Sequence, residues 1–429
     1  MTANTLSNSD IVELTAFRHD LHQAPELSGE EKQTAGRISD FLQKTQADTL
    51  ATGLGGHGIA AVYDSGVDGP TVMVRAELDG LPIEEINDIA HKSKVPGKGH
   101  LCGHDGHMVM LCGAARLLAR KRMATGRVIL LFQPAEETGQ GAAAILADPK
   151  FADFAPDISL SLHNLPGLPL GHVGLVTGPA NCASRGFEIT LKGRTAHASM
   201  PETGNSPLNA VTKLTQELNR LGSGSTLKSG FRLVTITHVK VGEPTFGIAP
   251  GTATVLATLR CLEDRDMKAL CTNAEMLISE IAVAENLEAQ HSYHDVFHAC
   301  TNDVKPVAIL ADTCKALNVP LIDDLTPMRW SEDFGLFGRS SEAAMFVLGA
   351  GLDHPQLHNP GYDFPDDLIP IGAHIFDHAV RSILGYFQVG ECEVRYSCTI
   401  PNRHNQTWLW QSRQSTGQYP DRLLPSLRH

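Results

Sequence analysis

The apolar residues fall in short runs, and the texture of those runs changes along the chain. Between residues 10 and 46, IVELTAFRHDLHQ and GEEKQTAGRISDFLQK read as two helices broken at Pro25. Compact apolar runs at 59–63, 71–78, 127–132 and 158–163 predict strands, with a buried helix over 108–119 and a short one over 141–147. Strands alternating with helices predict an α/β fold with a central, mostly parallel sheet flanked by helices. Near Gly178 the pattern changes. FEITLKG, a helix over 207–221, LVTITHVKVG, ATVLATLRCLED, a long helix over 264–286 and the strand EAQHSYHDVF predict a compact α+β insert. From about residue 302 the α/β texture returns, with AMFVLGAG as a strand and a last helix over 371–387. The expected organisation is a discontinuous domain of residues 1–180 and 299–390, interrupted by a smaller domain of 181–298. Residues 391–429 are polar, irregular and hold Trp408 and Trp410, so they are expected to form a disordered tail.

Composition narrows the function classes. Thirty-five Lys and Arg against 48 Asp and Glu leave a formal charge of −13, which argues against a nucleic-acid surface and against attachment to anionic membranes. No apolar run approaches the ~20 residues of a membrane-spanning helix. The N-terminal MTANTLSNSDIVELTAF has neither a basic start nor an apolar stretch, so no signal peptide is expected. Nine scattered cysteines without a CxxC pair fit free thiols in a reducing, cytoplasmic compartment. Twenty histidines turn attention to metal chemistry.

Four stretches carry metal-capable side chains. HLCGHDGH (100–107) places Cys102 and His104 two apart, just before the predicted helix, where a loop can aim thiolate and imidazole at one point. Asp105 is either an orienter of a ligating imidazole or the cap of that helix. FQPAEE (132–137) puts Glu136 and Glu137 at a strand exit, pointing apart, so that one can bind metal while the other handles protons. His163 closes the strand LSLHN, and His358 follows the strand that ends near Gly351. His163 alone is more often a structural residue, and His358 alone is a weak signal. Together with Glu77 and Asp79, these residues all fall at or soon after the C-terminal ends of predicted strands, the edge where open α/β sheets bind ligands. GLGGHG (53–58) is followed by a strand rather than a helix, which argues against a dinucleotide loop. No HExxH, GxxxxGK[ST] or GxSxG is present. His57 and His91 have no partner motif and are expected in ordinary loop roles.

RHDLHQAPELSGEE, VRAELDGLP, HLCGHDGHMVMLCGAA, FQPAEETGQGA, LHNLP, GRTAHASMP, SEDF and LHNPGYDFPDD occur in this order. In that, the chain resembles the M20 metallopeptidase family over about residues 10–388, and most nearly its amidohydrolase branch of hippurate, auxin-conjugate and N-acyl amino acid hydrolases. The resemblance implies two divalent ions (Zn, Mn, Co or Ni) held by Cys102, His104, Glu137, His163 and His358. Cys102 would bridge both, with Glu137 and His358 on one and His104 and His163 on the other. It further implies Glu136 as general base, Asp79 as the carboxylate behind the ligands, and a homodimer in which His197 of the smaller domain reaches the partner's substrate. The substrate would be a small N-acyl amino acid, cleaved to a carboxylic acid and a free amino acid. Arg260, at the end of a strand of the insert, is a candidate clamp for the substrate carboxylate. Two alternatives stay open: a dipeptidase or exopeptidase with the same site, and a non-catalytic metal-binding relative. The chain departs from the family pattern at Glu77, where Asp is usual, and at Gly247 of GEPTFGIAP, where Asn is usual.

Overall fold

The computed structural model describes residues 4–224 and 226–386; the tail expected at 391–429 lies outside them. Eight strands form the main sheet, in the spatial order Thr49–Leu54, Gly58–Asp64, Arg127–Gln133, Thr71–Glu77, Ile158–Leu165, Glu342–Gly349, Val173–Gly174 and Leu321–Ile322. Its centre is parallel: Thr71–Glu77 pairs in parallel with both neighbours, and Glu342–Gly349 pairs in parallel with Ile158–Leu165. The first two strands join antiparallel at one edge. Central strands are buried on both faces, which is why Arg127–Gln133 and Glu342–Gly349 read as nearly continuous apolar runs; Ile158–Leu165 instead alternates, with Ser159 and Ser161 buried on its second face.

Helices cover both faces. Asn8–His22, Lys32–Gln43, His104–Arg120, Val304–Leu317 and Leu368–Leu384 pack one core with the sheet. Gly141–Ala147 and the 3₁₀ turns Pro149–Phe154 and Asp333–Arg339 close the other. Parallel strands point their C-terminal ends to one edge, so Glu77, Gln133, Leu165 and Gly349 end on the same side of the sheet.

Residues of the predicted insert build a second sheet, antiparallel throughout, in the order Arg232–Val241, Thr252–Cys261, Ala183–Lys192, Glu288–Phe297. Thr252–Cys261 alternates buried and half-exposed positions, as expected for a sheet with one face covered. Helices Leu208–Arg220 and Asp264–Ala284 cover that face and share a separate apolar core with it. Among the described residues, no helix is long and apolar enough to cross a membrane.

The helix Val304–Leu317 was not expected and the last helix runs Leu368–Leu384 rather than 371–387; two further elements also differ from the sequence reading. The strand Thr49–Leu54 was not expected: TLATGL lies at a sheet edge, mostly exposed, and carries no apolar run. The helix expected from 108 begins at His104. Its first turn, HDGH, is polar yet wholly buried, so hydrophobicity does not reveal it. Gly103 makes the entry turn at φ 89°, a conformation open chiefly to glycine. Gly106 lies against the Phe364 ring, where an added Cβ would sit 2.5 Å from ring carbons.

Candidate metal centre and active site

At the C-terminal edge of the parallel strands, five side chains converge. His104 opens its helix, and its Nδ1 donates to the Asp79 carbonyl at 2.9 Å, which leaves the Nε2 lone pair free. That Nε2 is buried and unpartnered, 3.9 Å from Glu136 and 3.8 Å from Glu137. His163 donates from Nδ1 to the Asn164 carbonyl at 2.8 Å and turns Nε2 to Cys102 Sγ at 3.5 Å. His358, held at φ 64° with its N–H on the Leu101 carbonyl, brings Nε2 to 3.5 Å from Glu137. The donor atoms form two triads, Cys102–His104–His163 and Cys102–Glu137–His358, each within 4.8 Å and sharing the sulfur.

The QPAEE turn follows strand Arg127–Gln133 through Ala135 at φ 52°, whose N–H is caught by the Glu31 carboxylate at 2.8 Å. Asp79 ties the parts together: its Oδ2 accepts from Ser28 at 2.7 Å and from the Glu137 N–H at 3.0 Å. Its Oδ1 lies 3.5 Å from His104 Nδ1.

The electrostatics of this cluster suit a cation. Burial, then the negative Glu137 and Glu136, push the Cys102 thiol well above its ordinary value. Burial pushes Glu137 up to about 7 although His104 opposes it. Burial and the nearby charges of Glu332 and Glu137 raise Glu136 well above the carboxylate range. Burial and His107 hold His163 neutral, its lone pair available. Burial would also lower His104, but the hydrogen bond to Asp79 and the charges of Glu77 and Glu137 raise it to about 10. Thiolate, imidazole and carboxylate donors crowded in a buried site, with His104 Nε2 and Glu137 Oε1 unpartnered, fit divalent transition ions. Bound cations would reverse these shifts.

Behind the centre stands a second layer that single-sequence reading missed. His107 presents its ring nitrogens to Glu77 Oε2 at 2.7 Å and Asn164 Oδ1 at 2.6 Å, and Asn164 donates to the Tyr362 hydroxyl. Glu77 also accepts from Arg75, whose other contacts are Glu332 at 2.9 Å, Asp333 at 2.6 Å and Gln133 at 2.9 Å. The longer arm of Glu77, unusual at this position by resemblance, spans Arg75 and His107 at once. The SEDF motif contained Glu332 and Asp333, and no local pattern linked them to Arg75.

Two expectations are corrected. Asp105 does not orient a ligand imidazole; its Oδ2 accepts from Arg18 and from His22, both at 2.9 Å. Orientation of His104 falls to Asp79 instead. Nor is His91 an ordinary loop residue: it stacks on His19 with ring centroids 3.7 Å apart and contacts Arg18 and Asp363. Arg18 joins Asp105, Asp363 and Asp366, so this network ties the first helix both to the helix of His104 and to the loop after His358.

Glu136, Glu137, Cys102, His163 and His358 open onto a cavity of about 390 Å³. Arg260 lines it from the second sheet, one guanidinium nitrogen on the Arg329 carbonyl and Ser331 Oγ, both at 3.0 Å. His197 is exposed, on a short ribbon paired with Ile248, hydrogen-bonded to Ser199 at 2.7 Å and outside the cavity lining. Gly247 of that ribbon faces open space.

Residues 73–382 match the model of peptidase family M20/M25/M40. The chain belongs to this family. An N-acetyl-L-cysteine deacetylase of Bacillus subtilis is 29% identical, covering 87% of this chain and 88% of that protein. The hippurate hydrolase of Campylobacter jejuni is likewise 29% identical, covering 85% and 94%. In fold, the M20 chain resembles a dinuclear metal-binding M20 peptidase of Bacillus subtilis, with a TM-score of 0.76 at 24% identity over 89% of this chain and all of that one.

Proposed function

We propose that this M20 protein is a metal-dependent amidohydrolase that cleaves an N-acyl amino acid into a carboxylic acid and a free amino acid. The observation that carries the reading is the pair of donor triads sharing Cys102, with the Glu136 carboxylate buried beside them. The curated relatives, a deacetylase of N-acetyl-L-cysteine and a hydrolase of hippurate, act on this class of substrate.

Cys102, His104, Glu137, His163 and His358 would hold two divalent ions, which when bound would supply Lewis acidity toward the amide carbonyl and offset negative charge on its oxygen. Glu136 takes a proton from the attacking water and returns it to the nitrogen, which must be protonated to leave. Asp79 fixes both the His104 ring and the Glu137 backbone. Among the described residues Arg260 makes no ion pair with a carboxylate and burial partly desolvates it, so the substrate carboxylate supplies its counter-charge.

His197 lies outside the cavity of its own chain and serves the carbonyl oxygen from a second copy. The protein is thus a homodimer, with residues 181–298 as lid and dimerisation domain and residues 1–180 and 299–390 as catalytic domain. Seven described cysteines, all free and buried, support a cytoplasmic location.

A panel of N-acetyl and N-benzoyl amino acids alongside dipeptides, run before and after chelation with metal add-back, tests the reading. Metal-dependent release of amino acid from the acyl series is expected. Turnover of the dipeptides alone, or of nothing on the panel, would overturn it.

A further inference from the structure

Two large rings in the cavity lining, Phe297 and Trp330, have no task in the mechanism, and Trp330 is the one that packs on a metal-ligand candidate. Trp330 lies in the segment before the 3₁₀ turn Asp333–Arg339, and its indole packs against His163 with ring centroids 4.9 Å apart at 52°. Both rings line the cavity. The residues on either side of Trp330 are tied to Arg260: the Arg329 carbonyl and the Ser331 hydroxyl accept from the same guanidinium nitrogen, each at 3.0 Å. The indole therefore packs on a metal-ligand imidazole, and the residues flanking it hold the cation that suits a carboxylate. Its Nε1 is buried and has no hydrogen-bond partner. Buried Trp N–H groups usually find one. No hydrogen bond fixes this ring, so it meets the cavity as shape and apolar surface.

We propose that Trp330 is a specificity-determining residue that limits the side chain of the departing amino acid and makes glycine and alanine conjugates the favoured substrates. The inference rests on the amidohydrolase reading. A substrate whose scissile carbonyl lies at the Cys102–His163 centre and whose carboxylate meets Arg260 has only its amide nitrogen and its α-carbon, which carries the amino-acid side chain, between those points. Trp330 borders that stretch. The acyl group leaves the carbonyl on the side away from the amide nitrogen, and so away from Arg260. Space lost to the indole is thus lost to the amino-acid side chain, and a site that offers no room excludes a larger group through overlap that neither ring can relieve.

The test is a two-dimensional panel on the metal-loaded enzyme: one acyl group on glycine, alanine, leucine and phenylalanine, and several acyl groups on glycine. The wild type is expected to favour glycine and alanine over leucine and phenylalanine by at least ~10-fold in kcat/KM. Trp330→Ala should shrink that ratio at least ~10-fold while the acyl preference on glycine stays within ~3-fold. Trp330→Phe, which keeps a ring against His163, should fall between. Metal content and melting temperature are measured on each variant. Should Trp330→Ala fail to fold, inhibition of the wild type and Trp330→Phe by free glycine and free phenylalanine reads the same pocket. An unchanged amino-acid preference, or a change confined to the acyl series, overturns the proposal. If the wild type hydrolyses no N-acyl amino acid, the amidohydrolase reading falls first; if it does so without regard to the amino acid, only Trp330's role falls.

Discussion

His22 provides a quantitative test of the network that braces the metal-ligand loop. Its ring is fully buried, with Nδ1 2.9 Å from Asp105 and Nε2 3.3 Å from Glu85. Burial alone would lower its pKa, but the Asp105 and Glu85 carboxylates overcome this, against the opposing charge of Arg18, and raise it to about 9. An imidazole at 6.5 in the unfolded chain and about 9 in the folded one stabilises the fold by about 3 kcal/mol. The sign follows from the raised value. The full contribution is present below pH 6.5, declines as the pH rises, and is gone above about 9. His22→Asn keeps a neutral donor for Asp105 and removes the titration. Urea denaturation of the metal-loaded protein at pH 6 and pH 9.5 measures it. The wild type should lose about 3 kcal/mol more than the variant between the two pH values. Parallel losses in the two proteins would refute the reasoning, because every other titrating group is common to both.

Three further outcomes follow from the site. Glu136→Gln should retain its metal, by elemental analysis, while turnover drops by roughly 10²- to 10⁴-fold. His197→Ala should lower kcat by roughly 10²- to 10³-fold, and mixing it with Glu136→Gln should restore activity in hybrid dimers, since each hybrid then contains one cavity with both groups intact. Glu77→Asp should be less stable by about 1–3 kcal/mol in thermal unfolding, because the shorter arm cannot reach both Arg75 and His107 and leaves one buried partner unsatisfied.

The parts of the fold legible in the sequence were those whose burial writes a local pattern. The runs at 71–78, 127–132 and 158–163 are buried on both faces and read as strands without ambiguity. Neither His163 nor His358 stood out alone; their placement after strand ends pointed to a common edge, and the structure brings both to Cys102, His163 beside His104 and His358 beside Glu137. What stayed hidden depends on pairs distant in sequence. Arg18 meets Asp105 across 87 residues and Arg75 meets Asp333 across 258, and nothing near either residue announces the other. His104 and Asp105 misled the helix boundary for a related reason: polar residues buried by such pairings look like a loop. Trp330 was equally silent, since its position matters only beside His163 and the guanidinium of Arg260.

The account stands on five donors gathered around one sulfur, and metal stoichiometry tests this most directly. After saturation with Zn, Mn, Co or Ni and removal of excess ion, elemental analysis should find two ions per wild-type chain. His358→Ala should retain about one, and Cys102→Ala should retain less than one, because both triads lose the shared ligand. A wild-type protein that holds no stoichiometric ion, or a Cys102→Ala protein that still holds two, would contradict the account.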